Sequence, residues 1–393
     1  MRIFVLGNIN AGKSYVVEKL RKKLPNYTVL QIDEWRRNNC DGSIEKEEQA
    51  WINFPKAILE EQNVIAELSG GGRIAQNIID GLPNRSCLVF KVCASKEECL
   101  LRMKDKDFSS IPYPKYDGAE SIDETIVRID QQMSQGSIER LWGEKSIDIL
   151  SINSFDDVSH IPIKQYEKID KITELYRHQP CQMFLFGSAG RGKMTENSDV
   201  DIFLYSNKSV EWHCQYVRDY FESASVMGNE VVVREEGILI ELDVINDLSK
   251  AEHFYRTGNI EDPRKTILIG DNVLLETLTE FLSKKYDLEE DLRYIVERLK
   301  YYVLSLPSLQ QKNDEYKYYF HNNIIVHEYV RLRAMLSGIF EHNYLPLQAK
   351  KLLTEKEWNT LLYSFGDDMG EHYVKTKEMC DSLIDIVKKT WNI

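Results

Sequence analysis

Gly187-Ser188-Ala189-Gly190-Arg191-Gly192, followed after a short interval by Ser198-Asp199-Val200-Asp201-Ile202, is the stretch on which the fold turns. Asp199 and Asp201 stand two apart in an apolar run, so the period of a strand sends both carboxylates to one face. Crowded carboxylates repel one another unless a divalent cation neutralises them. A later apolar run, Ile240-Glu241-Leu242-Asp243-Val244, supplies a third acid, Asp243. Three acids on neighbouring strands suit one or two Mg²⁺ ions and in-line attack on a nucleoside triphosphate. The Gly187-Ser188 turn offers backbone donors and a hydroxyl to the β- and γ-phosphates. Glu241 shares the face of Asp243 and reads equally well as a base or as a surface residue of an edge strand.

Around this core the pattern predicts a helix over Tyr166–Arg177 and strands over Met183–Phe186, Val200–Tyr205, Glu230–Arg234 and Ile238–Ile245. Upstream, apolar runs at Ile3–Leu6, Tyr27–Ile32, Val64–Leu68, Leu88–Val92 and Ile147–Ile152 alternate with helical stretches. Such alternation implies a parallel sheet covered by helices. Downstream, Leu288, Leu292, Ile295, Leu299 and Tyr302 recur at spacings of three and four, as do Ile325, Tyr329, Leu332, Leu336 and Ile339. These stripes predict a helical bundle, with breaks at Pro307 and Pro346. The expected domains are 1–160, 161–270 and 271–393: an α/β parallel-sheet domain, an α+β domain with a mixed sheet, and a C-terminal helical bundle.

The first apolar run leads into Gly7-Asn8-Ile9-Asn10-Ala11-Gly12-Lys13-Ser14, which matches GxxxxGK[ST] in full and opens a helix-like run. Gly7, Asn10, Ala11 and Gly12 would let backbone N–H groups curl around phosphates. Lys13 would reach the β- and γ-phosphates and the Ser14 hydroxyl would help hold Mg²⁺. The region resembles P-loop kinases of small molecules, the group of adenylate, shikimate and gluconate kinases and zeta-toxin-like enzymes. By that resemblance Asp33, after the second strand, meets the acceptor hydroxyl. Ser69-Gly70-Gly71-Gly72-Arg73 forms an acceptor or phosphate turn, and Arg102, Lys104 and Lys106 supply cations to the transferring phosphoryl group. The sequence departs from the pattern in having no Asp at the end of the third strand, so Glu67 or water must carry the magnesium.

The GSAGRG…SDVDI…LDV constellation resembles the DNA polymerase β-like nucleotidyltransferase superfamily, whose signature is GS, RG, SDxD and a distant third Asp. The resemblance implies that Asp199 and Asp201 bind both metals, Asp243 helps to activate the acceptor, and Ser188 with Arg191 holds the triphosphate above Gly187. Leu332–Leu336, Asn343-Tyr344-Leu345-Pro346 and Lys350 resemble the helical domain of aminoglycoside and lincosamide nucleotidyltransferases, which there helps to form the acceptor pocket.

Composition bounds the rest. Lys and Arg total 50 against 63 Asp and Glu in 393 residues, a net charge of −13. That balance argues against a nucleic-acid coat protein, although an RNA end needs only a local basic patch. Apolar residues at 42% support packed cores, and no window is apolar enough for a membrane span. The N-terminal residues do not read as a signal peptide. Cysteines 40, 87, 93, 99, 181, 214 and 380 show no metal-binding spacing and point to a reducing, cytoplasmic setting. The sequence therefore predicts a bifunctional enzyme: ATP-dependent phosphorylation of a small acceptor, and Mg²⁺-dependent nucleotidyl transfer to the same or a related acceptor with release of pyrophosphate. The alternative is a nucleotidyltransferase acting on an antibiotic, a protein or an RNA end, with the P-loop domain as separate kinase or nucleotide sensor.

Overall fold

The computed structural model describes residues 1–104, 120–257, 260–284, 288–339, 349, 351–364 and 367–392. Lys106, Pro346, Lys350 and the Asn343–Leu345 stretch lie outside the described residues. The chain divides into two compact units, Met1–Asp247 with Asp262–Leu275, and Leu248–Glu261 with Glu276–Ile393.

The first unit holds both sheets. Five parallel strands, β1 (Arg2–Gly7), β2 (Thr28–Gln31), β3 (Val64–Leu68), β4 (Cys87–Cys93) and β5 (Ser146–Asn153), are ordered β2-β3-β1-β4-β5. Their connections are helical: α1 (Lys13–Lys23), α2 (Ile32–Asn39), α3 (Ile44–Glu60), α4 (Gly72–Gly81), α5 (Lys96–Leu101), α6 (Ile122–Ser134) and α7 (Ser137–Trp142). Strands buried on both faces read as continuous apolar runs rather than alternations, which is why Ile3–Leu6 was visible as a strand. Phe4, Leu6, Val64, Ala66 and Val89 pack one face against Phe54, Ile58, Ile78 and Trp142. Ile3, Val5, Leu88, Phe90 and Val92 pack the other against Val16, Val17 and Leu20 of α1.

That second core does not stop at the parallel sheet. It runs through Ile163, Tyr166, Ile169, Ile172 and Tyr176 of α8 (Ile163–Tyr176) into Met183, Leu185, Val200, Ile202, Leu204, Ile240 and Leu242. These belong to a six-stranded mixed sheet formed by β6 (Gln182–Leu185), β7 (Val200–Tyr205), β8 (Ser223–Met227), β9 (Glu230–Glu235), β10 (Ile238–Ile245) and β11 (Ile267–Ile269), in the order β11-β6-β7-β10-β9-β8. Only the central β7–β10 pair is parallel; the other pairings are antiparallel. A four-residue helix, α9 (Gly187–Gly190), follows β6, and α10 (Val210–Val217) follows β7. Tyr166 donates to Asp148 at 2.6 Å, and Tyr27 donates to Glu167, so polar contacts also tie the two sheets through α8.

The second unit is helical, with long helices Leu288–Gln311, Glu315–Leu336 and Met369–Trp391 packed through Leu292, Ile295, Leu299, Ile325, Leu332, Leu383 and Val387. Pro307 does not break its helix, contrary to the sequence expectation. Buried Leu306 and Leu309 anchor the final turns on either side of the ring, and that burial outweighs the lost backbone hydrogen bond. Among the described residues no helix is long and apolar enough to cross a membrane. All seven cysteines are free thiols.

Candidate active sites

The acidic site grows from strand alternation in the mixed sheet. Val200, Ile202 and Leu204 face the shared core, so Asp201 must face the other way. The parallel register sets Glu241 of β10 opposite Asp201, while Asp243 stands opposite Phe203. Carboxylate oxygens of Asp199, Asp201 and Glu241 lie within 4.8 Å of one another. The third acid of the cluster is thus Glu241 rather than the expected Asp243, which is one pleat period, roughly 7 Å, farther along the same face. Asp199 is exposed and immediately precedes β7 instead of lying within it.

Gly187 is the residue that lets this cluster form. Its φ is +57°, and a Cβ there would overlap the Asp201 carboxylate. Behind it, the Phe186 N–H donates to the Asp201 carbonyl at 3.0 Å and the Ser188 backbone N–H hydrogen-bonds the Asp201 carboxylate. The Ser188 hydroxyl is buried with no hydrogen-bond partner among the described residues, and the Lys193 N–H donates to the Ser188 carbonyl at 2.9 Å. Burial, followed by the charges of Asp199 and Glu241, pushes Asp201 up to about 7, with Arg191 and the Ser188 backbone pulling the other way. Burial also raises Glu241, aided by Glu230 and Asp199. Three carboxylates so close together form a donor set of hard oxygens, and a divalent cation is the species that fits it.

The Gly7–Ser14 loop is built by β1, a sharp turn and α1. Gly7 leaves β1 so close to β4 that a Cβ would meet the Val92 carbonyl at 2.8 Å. Asn10 and Gly12 adopt left-handed backbone, φ +62° and +93°. Lys13 Nζ donates to the Asn8 carbonyl at 2.8 Å and lies 3.8 Å from Glu67, with both side chains buried. Ser14 Oγ donates to Glu67 Oε2 at 3.0 Å. Glu67, opposite Val5 of β1 and Gln31 of β2, also accepts from the Gln31 amide. Glu67 thus gathers Lys13, Ser14 and Gln31 around one carboxylate at the end of β3. Arg102 donates to the Asn10 carbonyl at 2.9 Å and pairs with Glu98.

A cavity of about 740 Å³ opens in front of this loop. Asn10, Gly12, Lys13, Ser14, Glu67 and Arg102 line one end. Asp33, in the first turn of α2, lines it too, together with Gly71, Gly72 and Arg73. Ala11 is fully buried beneath the turn. Sequence reasoning left Gln31 unremarked and gave Glu241 no settled role. Gln31 carries no motif signal, whereas Glu241 was detectable from its two-residue spacing to Asp243 once β7 and β10 were known to be parallel.

Residues 167–264 match the family described as nucleotidyltransferase domain. No curated protein matches the chain in sequence. Among solved structures, the chain is similar to a nucleotidyltransferase-like protein from Exiguobacterium sibiricum, at 16% identity and a TM-score of 0.33, covering 56% of this chain and 74% of that one. It is also similar to shikimate kinase from Acinetobacter baumannii in complex with shikimate, at 14% identity, a TM-score of 0.29 and coverage of 45% and 94%. A CCA-adding enzyme in complex with CTP matches at 13% identity, a TM-score of 0.27 and coverage of 57% and 69%.

Proposed function

We infer that the protein is a two-site enzyme in which the acidic site transfers a nucleotidyl group from a triphosphate to a small acceptor, releasing pyrophosphate, and the phosphate loop phosphorylates the same or a related acceptor from ATP. The observation that carries the transfer half is the trio Asp199, Asp201 and Glu241 beside a buried Ser188 hydroxyl that has no partner among the described residues. Mg²⁺ held by those three acids and, at the other site, by Ser14 with Glu67 would neutralise phosphate charge and polarise the bond being broken. Ser188 and Arg191 would then hold the triphosphate tail. A cation held there would lower the raised proton affinity of Asp201 and Glu241 and leave the Glu241 carboxylate ionised to take the acceptor's proton. At the Gly7–Ser14 loop, Lys13 and Arg102 would bind the phosphates, and Asp33, which lines the same cavity, would be the acceptor-side acid. The three-part division at residues 160 and 270 is retained as a functional one.

Mass spectrometry of small molecules co-purifying with the Asp199→Asn protein tests the series reading. A phosphorylated acceptor retained by the variant supports it; pyrophosphate release that needs no phosphorylated acceptor, with ADP formed only on unrelated molecules, refutes it.

A further inference from the structure

Residues 154–161, between β5 and α8, lie along α1 from its first turn to its last. Ser154 packs so tightly on the phosphate loop that a Cβ on Gly12 would overlap its side chain. Phe155, 77% exposed, lies beneath the Arg102 guanidinium, 5.8 Å from the ring centre, and 6.2 Å from the Tyr15 ring. Lys19 Nζ donates to the Ser154 carbonyl at 3.3 Å and the Asp156 carbonyl at 2.6 Å. Val158 and Ile161 are buried in the shared core.

Lys23, the last residue of α1, donates to the carbonyls of Val158, Ser159 and Ile161 and pairs with Glu196 at 2.5 Å. Glu196 precedes Asp199 by three residues, at most about 10 Å of chain. Gln165 Nε2 holds the carbonyls of Glu196 and Ser198 at 2.7 and 3.2 Å. A helix that starts at Lys13 and Ser14 therefore ends, roughly 16 Å on, against the loop that presents Asp199.

We propose that the 154–161 segment and the Lys23–Glu196 pair couple the two sites, so that a nucleoside diphosphate at Gly7–Ser14 changes the motion of the Thr195–Asp199 loop. The inference rests on the reading of Gly7–Ser14 as a nucleotide site. Its energetic basis is competition: a phosphate that draws on Arg102 withdraws that guanidinium from the Asn10 carbonyl and from Phe155, giving the segment two arrangements of contacts. Glu196 and Gln165 then transmit the difference to Ser198 and Asp199.

Hydrogen–deuterium exchange on the full chain with MgADP as the probe tests this. The expected result is slowed exchange at residues 7–14 together with an exchange change of threefold or more at 152–161 and 194–200. Lys23→Met and, separately, Glu196→Gln, checked for native melting, retain the 7–14 effect and lose the one at 194–200. Protection of 7–14 with no change at 194–200 overturns the coupling and leaves the nucleotide site standing. A 194–200 change that persists in Lys23→Met also overturns it, as does one that persists in Lys13→Ala, since ADP is then acting at the acidic site directly. No protection at 7–14 removes both the coupling and the nucleotide site.

Discussion

Glu241 stands directly across the β7–β10 register from Asp201, and the two carboxylates meet with Asp199 inside a 4.8 Å cluster. Charge removal along that face should therefore be graded. Glu241→Gln, Asp199→Asn and Asp201→Asn each lower metal-dependent pyrophosphate release by roughly 10²–10³-fold, while Asp243→Asn costs much less. Equal losses from Glu241→Gln and Asp243→Asn would place the third ligand elsewhere. Steady-state rates with the four variants decide it.

The same crowding predicts a pH effect on stability. Asp201 binds its proton more tightly in the folded chain, with a value of about 7, than in the unfolded chain, near 3.8. A raised carboxyl favours folding below the unfolded value, and that contribution is lost as pH climbs from about 4 through 7. In EDTA, the melting temperature should fall over that window, and Asp201→Asn should flatten the fall. Mg²⁺ or Mn²⁺ should raise the melting temperature more at pH 8 than at pH 5, because protons compete for the same oxygens. Calorimetric melts across pH, with and without metal, give the sign.

Gly187→Ala should remove transferase activity and lower the melting temperature by several degrees, because the added methyl meets the Asp201 carboxylate and the backbone is left-handed. Gly192→Ala supplies the comparison: its φ is +64°, but nothing lies within 4 Å of the added atom. If the two variants behave alike, backbone strain rather than the close approach to Asp201 is responsible.

Lys13→Ala should abolish ATP binding at the phosphate loop and lower acceptor phosphorylation by roughly 10³-fold. Glu67→Gln keeps a partner for Ser14 and Gln31 but removes the charge, so it should weaken the magnesium dependence more than nucleotide affinity. Titrations of ATP at several Mg²⁺ concentrations separate these effects.

Trp142→Ala should destabilise the first unit by about 3–5 kcal/mol. Its ring packs 4.7 Å from Phe4, and its indole N–H donates to the Gly70 carbonyl at 2.9 Å at the head of the glycine turn lining the cavity. Denaturant unfolding reads the loss. Trp142→Phe, which keeps much of the packing and loses the donor, separates the two contributions.

The parallel sheet was legible because its central strands β1, β3 and β4 are buried on both sides and carry few interruptions. Val64–Leu68 is a strand with the expected bounds, and the Gly7–Ser14 segment lies between strand and helix as the sequence pattern predicts. β8 and β11 escaped notice: Ser223–Met227 has no buried residue and its apolar side chains are broken by two serines, and Ile267–Ile269 is three residues long, so neither offers a run that periodicity can register. The identity of the third acid was hidden for a different reason. Two acids two residues apart on β10 give the same alternation, and only the register with β7 distinguishes Glu241 from Asp243. Ser154 and Phe155 lack any local signature, because their partners Gly12 and Arg102 are remote in sequence.

The apolar layer that runs from Val5 through α8 to Ile202 has a practical corollary for anyone dissecting the molecule. A scission near His160 would bare Ile3, Val16 and Leu20 on one fragment and Ile169, Ile172 and Met183 on the other, so that neither recombinant half would stay monodisperse without its complement. Separate assays of the two chemistries are better pursued by point inactivation of the intact polypeptide than by cutting it.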